Sequence, residues 1–199
     1  CFSLIFYLIF KIDFLNIIRG HIDTDPALTK VIPIQGMASA PHLDFAGEIK
    51  KEIKFPIFHA SKINDVATAR HAIASGKLDM VGMTRAHIAD PHIIKKILEK
   101  REDNIRPCVG ATYCLDRIYE GKETLCIHNP ATGREKNMPH EITLKAKATK
   151  KIVIVGAGPA GLEAARVCAE RGHNVIVFEA TNSVGGQINL ICRSNKRKD

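Results

Sequence analysis

The sequence predicts an α/β protein in two parts. Residues 12–100 read as successive strand–helix units, and residues 151–199 as the start of a dinucleotide-binding domain, with a cysteine-bearing stretch, 101–150, between them. Three observations carry this. Short β-branched or aromatic runs alternate with helical periodicity through 12–100, the pattern of parallel strands covered by helices. Residues 152–161 read Ile-Val-Ile-Val-Gly-Ala-Gly-Pro-Ala-Gly, an apolar strand entering a glycine turn. Cys108, Cys114 and Cys126 cluster in the intervening stretch, which has no clear periodicity.

Taken in order, Phe14–Ile18 is an apolar run that ends at Arg19-Gly20 and predicts a strand. Residues 21–41 contain Pro26, Pro33, Gly36 and Pro41 and predict a long loop. Leu43, Ala46, Ile49 and Ile53 share one face of a helix over Leu43–Ile53. Phe55–Phe58 predicts the next strand, and Asn64 or Asp65 caps a helix with Val66, Ala69, Ala72 and Ile73 inward. Leu78–Val81 predicts a third strand. Asp90-Pro91 opens a further helix with Ile93, Ile94, Ile97 and Leu98 inward. Periodicity does not separate an open sheet from a closed barrel. A barrel needs eight units and about 250 residues, so this segment is at most its last third.

The dinucleotide signature comes in its confirming context. Gly156 permits the tight turn, Gly158 lets a diphosphate approach the backbone, and Gly161 lets the helix pack on the strand. Pro159 and Ala160 lie between the last two glycines, a helix over Leu162–Arg171 stops at Gly172, and the free N–H groups of the helix N-terminus suit a phosphate. The second strand, Val175–Glu179, puts Glu179 18 positions after Gly161, where an acid binds a ribose hydroxyl. The alternative is a βαβ unit whose glycines serve packing alone.

The 199 residues are 45% hydrophobic and 25% charged, a globular composition. The net charge of +8 includes a basic tail, Arg193–Lys198, and elsewhere cations alternate with acids. With few aromatics and no nucleic-acid motif, this predicts a solvated surface and no nucleic-acid partner. Six cysteines without a cleavable signal pattern predict reduced thiols in a cytoplasmic protein, not a disulfide framework. Cys1–Phe10 is apolar but short of the roughly 20 residues that span a bilayer, so no membrane association is expected. The absence of an initiator Met and the early stop after Gly185-Gly186-Gln187 predict an internal fragment, with residues 1–11 of uncertain origin. Such a fragment would expose strand edges and an inner apolar face including Phe14, Ile17, Ile57 and Val81, and would be inactive alone.

Two stretches in 79–130 carry a family resemblance. Asp79-Met-Val-Gly-Met-Thr-Arg85-Ala-His-Ile-Ala-Asp90-Pro91 resembles the last strand and following turn of the old yellow enzyme-like FMN barrels. Arg106-Pro-Cys108-Val-Gly-x-x-x-Cys114, then Cys126-Ile-His-Asn129, resembles the iron–sulfur segment behind that barrel. That segment marks the branch of trimethylamine dehydrogenase, N-methyl-amine demethylases and bacterial 2,4-dienoyl-CoA reductase. The order of barrel, cysteine segment and GAGPAG domain is the branch's own. The resemblance implies the C-terminal part of an FMN-binding TIM barrel, then an iron–sulfur linker, then the start of a Rossmann-like FAD/NAD(P)-binding domain.

The resemblance also implies roles. An FMN phosphate would lie at the turns after the last two barrel strands, on Ser61, Lys62, Thr84 and Arg85, with Ser61 in place of the family's glycine. The alternative for Arg85 is a surface ion pair with Asp90. Glu179 followed by Gly185-Gly186-Gln187 resembles the family's FAD half, so Gly186 and Gln187 would contact FAD or ADP. Cys108, Cys114 and Cys126 would bind a [4Fe–4S]-type cluster, but Ala111 stands where a fourth thiolate is expected. Three options stay open: a non-cysteine ligand, for which His128 is the nearest imidazole, a three-iron cluster, or no cluster. Zinc on three cysteines and His128 is a further option, disfavoured by the short Cys126–His128 spacing. His21, just past Gly20, stands near the family's acidic substrate position and would be a base or orienting residue; a plain loop histidine is the alternative. His42 and His59 fall at loop or strand ends on the same face.

The expected activity is oxidation of a small N-methylated amine, electrons passing to a partner domain or protein and NAD(P)H a further electron partner. Enoyl reduction of the 2,4-dienoyl-CoA reductase type and a flavin-free, non-catalytic fragment are the alternatives. The intact parent is expected to be a homo-oligomer acting on a small-molecule substrate.

Overall fold

A computed structural model describes residues 12–194. The chain divides into two compact units, one through Met138 and one from Pro139 onward.

The first unit is built on three parallel strands, β1 (Leu15–Ile17), β2 (Ile57–Ala60) and β3 (Met80–Gly82), adjacent in sequence order. Leu15 lies opposite Ile57, and Phe58 opposite Met80. Parallel neighbours need a crossover. Helices α1 (Asp25–Val31) and α2 (Leu43–Glu52) lie between β1 and β2, and α3 (Val66–Ala74) lies between β2 and β3. Ile17, Leu43, Ala46, Ile57, Ile63, Ala72 and Leu78 form one buried cluster. The period-2 alternation of β2 buries Ile57 and His59 while Phe58 stacks on Phe14 at 4.6 Å. Ile17 and Ile57 therefore belong to the core and not to an open inner face, and Val81 is half-buried against that core, which corrects the sequence expectation; Phe14 is exposed.

The long loop expected over 21–41 contains α1. Its start signal is legible in retrospect: Thr24 accepts a hydrogen bond from the Ala27 N–H, and Pro26 stands in the first turn. Asp65, not Asn64, caps α3, its carboxylate accepting from the Thr68 N–H at 2.7 Å. Ile73 in α3, and Ile94 and Leu98 in the helix α5 defined below, are exposed rather than inward. Short helices bury a single narrow stripe, filled here by Ala72 and Ile93.

After β3 the chain forms α4 (Thr84–Ala89), α5 (Ile93–Leu98), a 3-10 turn (Glu102–Asn104) and α6 (Tyr113–Tyr119). Asp90 ties these together. It is 3% exposed; its carboxylate binds Lys96 Nζ and accepts from the N–H groups of His92 (3.0 Å) and Arg106 (2.8 Å). Asn129 fastens the far end of the cysteine segment by donating to the Ala89 carbonyl at 2.9 Å.

In the second unit β4 (Lys151–Val155) and β5 (Asn174–Phe178) pair in parallel around α7 (Pro159–Glu170), and α8 (Ile188–Ile191) follows. Gly172 ends α7 with φ +93°. Val153, Val155 and Phe178 are exposed. No helix among the described residues is long and apolar enough to cross a membrane, and the apolar run Cys1–Phe10 lies outside them.

Candidate functional site

All three strands of the first unit point their C-terminal ends the same way, so the turns after β1, β2 and β3 meet at one end of the sheet. Ser61 and Lys62 follow β2, and Thr84 and Arg85 follow β3. These four residues line one cleft of about 240 Å³, together with Gly82, Met83, Ile88 and the α6 residues Cys114, Leu115 and Ile118. Ser61 is 6% exposed, and its hydroxyl has no hydrogen-bond partner among the described residues. The same holds for the buried Nη1 of Arg85. Two orphaned buried polar groups on one cleft are costly unless a ligand or water satisfies them. Asp90 is occupied by Lys96 and backbone N–H groups, so the surface ion pair considered for Arg85 does not form. Lys62 lines the cleft with a left-handed backbone (φ +50°), and its ammonium donates to the Met37 carbonyl.

His21 is not among the residues lining the cleft. It is exposed, and its Nδ1 lies 3.4 Å from Asp23 Oδ2. His42 and His59 are buried beside the core. His59 Nδ1 sits 2.7 Å from the Ile17 carbonyl, which requires the proton on that nitrogen, and burial lowers the His59 pKa. His42 Nε2 binds the Lys30 carbonyl at 2.9 Å. Neither lines the cleft, and His42 Nδ1 and His59 Nε2 are buried without a hydrogen-bond partner among the described residues.

The three cysteines come together. Cys108, Cys114 and Cys126 line a cavity of about 20 Å³, and Ala111 lies on the same wall. All three are free thiols. Burial raises the Cys114 pKa, and the neighbouring Cys108 adds to the rise while the Leu115 N–H and Arg85 oppose it. His128 is not part of that lining; its Nδ1 lies 2.7 Å from the Pro107 carbonyl, a contact that holds the ring on the backbone. No cluster of three or more His, Cys, Asp or Glu side chains among the described residues is spaced for a single metal ion.

In the second unit, β4 delivers the chain to Gly156 (φ +99°), and Gly158 precedes α7 with open space where a side chain would stand. A Cβ at Gly161 would fall 1.9 Å from the Gly156 carbonyl oxygen, so helix and turn touch directly. Glu179 follows β5. Its carboxylate accepts from the Ala157 N–H at 2.8 Å and from the Thr181 N–H at 2.9 Å, and these bonds hold its pKa below the usual carboxylate range. The Gly185 N–H donates to the Ala157 carbonyl at 2.8 Å, and Gly186 lies against Gly158. The second glycine pair thus closes on the first. Gln187 borders α8. Sequence reasoning missed α6 as a wall of the phosphate cleft; the apolar pair Leu115 and Ile118, three apart, was the available signal.

Residues 154–196 match the model of an NAD(P)-binding Rossmann-like domain. The chain is 70% identical over 188 residues to a probable N-methylproline demethylase of Rhizobium meliloti (strain 1021), covering 94% of this chain and 28% of that protein. It is 51% identical over 188 residues to a multifunctional alkene reductase/demethylase of Caballeronia cordobensis, covering 94% of this chain and 27% of that protein. A 2-naphthoyl-CoA reductase structure superposes with a TM-score of 0.87 at 32% identity, over 99% of this chain and 29% of that one. The chain belongs to the old yellow enzyme-like flavin oxidoreductases, in the branch of amine demethylases and dehydrogenases. It spans just over a quarter of the length of these curated relatives.

Proposed function

We propose that this chain is the cofactor-holding C-terminal third of an FMN barrel, with its cysteine segment and the first βαβ unit of an FAD- or ADP-binding domain. The whole protein would oxidise a small N-methylated amine. The observation that carries the reading is the pair of orphaned buried groups, Ser61 Oγ and Arg85 Nη1, on one cleft at adjacent strand ends. Barrel enzymes place phosphates at the loops after strands seven and eight. A phosphate there would accept from both groups and remove their desolvation cost.

Bound FMN would supply the hydride acceptor that amino-acid side chains lack. The chain's own residues bind and orient. Arg85 and Ser61 hold the phosphate, and Lys62 and Thr84 complete the turns around it. In the second unit Glu179 takes an adenosine ribose while Gly158, Pro159, Ala160, Gly161, Gly186 and Gln187 frame the diphosphate. FAD or ADP fits this half by its second glycine pair, and the NAD(P)-type domain match keeps NAD(P)H as an electron partner. The cysteine donor set fits an iron–sulfur cluster held by three thiolates and not a four-cysteine one, because Ala111 offers no ligand and His128 stays on the Pro107 carbonyl. His21 would sit on the substrate side of the same sheet end. The protein is expected to work in the cytoplasm, as a homo-oligomer of the intact chain.

A second reading, reduction of an activated alkene such as an enoyl thioester, is favoured by the alkene reductase and naphthoyl-CoA reductase similarities. The test is anaerobic mixing of the intact, flavin-loaded protein with N-methylated amino acids. Loss of flavin absorbance near 450 nm, roughly the oxidised flavin band, is the expected result, since the substrate donates electrons to the cofactor. Bleaching by NADH followed by reoxidation with an enoyl thioester, without any response to the amines, would favour the second reading instead.

A further inference from the structure

Two buried histidines serve neither the cleft nor the nucleotide turn. His42 is 8% exposed and His59 1%, and their rings stand edge-on with centroids 6.4 Å apart. Each commits one nitrogen to a backbone carbonyl. His59 Nδ1 binds that of Ile17, the last residue of β1, and His42 Nε2 binds that of Lys30, near the end of α1. A helix leaves its last carbonyls without partners of its own, so the His42 bond completes α1. His42 Nδ1 and His59 Nε2 are then lone-pair acceptors, and neither meets a donor among the described residues. Both bonds bear on α1, because the turn after β1 touches it: a Cβ at Gly20 would fall 2.6 Å from the Ala27 carbonyl oxygen. Val31 and Ile32, which follow Lys30, line the phosphate cleft.

We propose that His42 and His59 are positioning residues that hold the α1 wall of the phosphate cleft, and that they do so only as neutral imidazoles, so the wall loosens as the pH falls. This rests on the reading of the cleft given above. A proton on either free nitrogen makes a buried N–H without an acceptor and a cation against a second imidazole, both costly in a dry interior. The pair takes that proton once it swings out to water. Acid therefore favours the open form, in which the Lys30 and Ile17 carbonyls lose their donors. The charged groups on the surrounding elements do not relieve the cost. Asp25 and Lys30 stand at opposite ends of α1, and Asp44 in α2 pairs with Lys77 at 2.6 Å. Arg19, after β1, lies over Phe45, and the Lys62 ammonium, after β2, is on the Met37 carbonyl. Burial lowers the His59 pKa against the opposing pull of the Ile17 carbonyl, and the charge felt there is that of His42.

The test follows amide hydrogen exchange of residues 26–32 in the intact protein, with protection corrected for the intrinsic effect of pH. The bonds are at full strength above about pH 6.5, the ordinary histidine value, and fade below it. Protection of α1 should therefore fall about ten-fold or more between pH 7 and pH 5.5, as the opened imidazoles take up protons. The double variant His42→Gln, His59→Asn keeps an amide donor for each carbonyl and cannot titrate, so its protection should stay level. In the same range FMN should dissociate faster from wild type and not from the double variant; the second ionisation of the phosphate, near pH 6, is common to both and cancels. Level protection in wild type overturns the proposal with no variant needed, and parallel falls in wild type and double variant overturn the role of the pair. Falling protection without faster FMN release overturns the tie between α1 and the cleft. Failure to bind FMN at any pH overturns the reading of the cleft, while α1 protection still decides the part played by the histidines.

Discussion

Replacing Gly161 with alanine should unseat the dinucleotide fold. The new Cβ would lie 1.9 Å from the Gly156 carbonyl oxygen and 3.4 Å from the Ile154 side chain. The first contact is backbone, which cannot swing aside, so α7 must move off β4 or the glycine turn must open. Overpacking of this kind costs about 1–3 kcal/mol where side chains can yield, and more where they cannot. The expected outcome in the intact protein is loss of ADP binding and rapid proteolysis after Pro139, with cleft-bound flavin retained. Unaltered ADP affinity in Gly161→Ala would mean that the turn is not built on direct helix contact.

Asp90→Ala carries the other large effect. Asp90 is 3% exposed and binds Lys96 and the N–H groups of His92 and Arg106 at once, so its removal takes the counter-charge from a mostly buried ammonium, which keeps only the Asn104 carbonyl, and takes an acceptor from two N–H groups. Breaking a buried pair from one side costs about 3–5 kcal/mol. Burial alone would raise the Asp90 pKa, but the bonds from Lys96, Arg106 and His92 outweigh it and hold the value below the ordinary 3.8. A depressed folded-state pKa contributes stability above the unfolded value, and that contribution fades as the pH falls through the folded one. The gap between wild type and variant in urea unfolding should therefore be full at pH 7 and shrink as the pH falls through about 4 and below. A constant gap down to the most acidic conditions would show that the carboxylate acts through shape and not charge.

These two positions differ in how far the sequence reveals them. Gly161 is legible because backbone geometry dictates residue type locally: a strand, a turn and a helix within ten residues leave few alternatives. Asp90 reads from sequence as the cap of α5, but in the structure His92 takes the cap position and Asp90 accepts from its N–H, and the bond of Asp90 to Arg106, 16 residues away, follows no local rule. The candidate site divides in the same way. Ser61, Lys62, Thr84 and Arg85 follow strands, so alternation of strand and helix brings them to one end of the sheet. The wall supplied by α6 is a tertiary event, and no periodicity over 101–150 announces it. α1 was hidden by proline content, although Pro26 at a helix start is favourable. The orientation of Ile17 and Ile57 toward the helices was undetermined, since strands buried on both faces carry apolar residues on both.

The central claim is that the cleft between the ends of β2 and β3 holds the phosphate of FMN. Its most direct measurement is the ratio of FMN to riboflavin affinity in the intact protein and in Arg85→Ala. The two ligands differ only by the phosphate. Losing a charge-assisted hydrogen bond costs about 1.5–3 kcal/mol, so FMN should bind roughly 10- to 150-fold more weakly to Arg85→Ala while riboflavin is unchanged. Equal losses for both ligands, or no loss for either, would contradict the assignment of Arg85 to the phosphate.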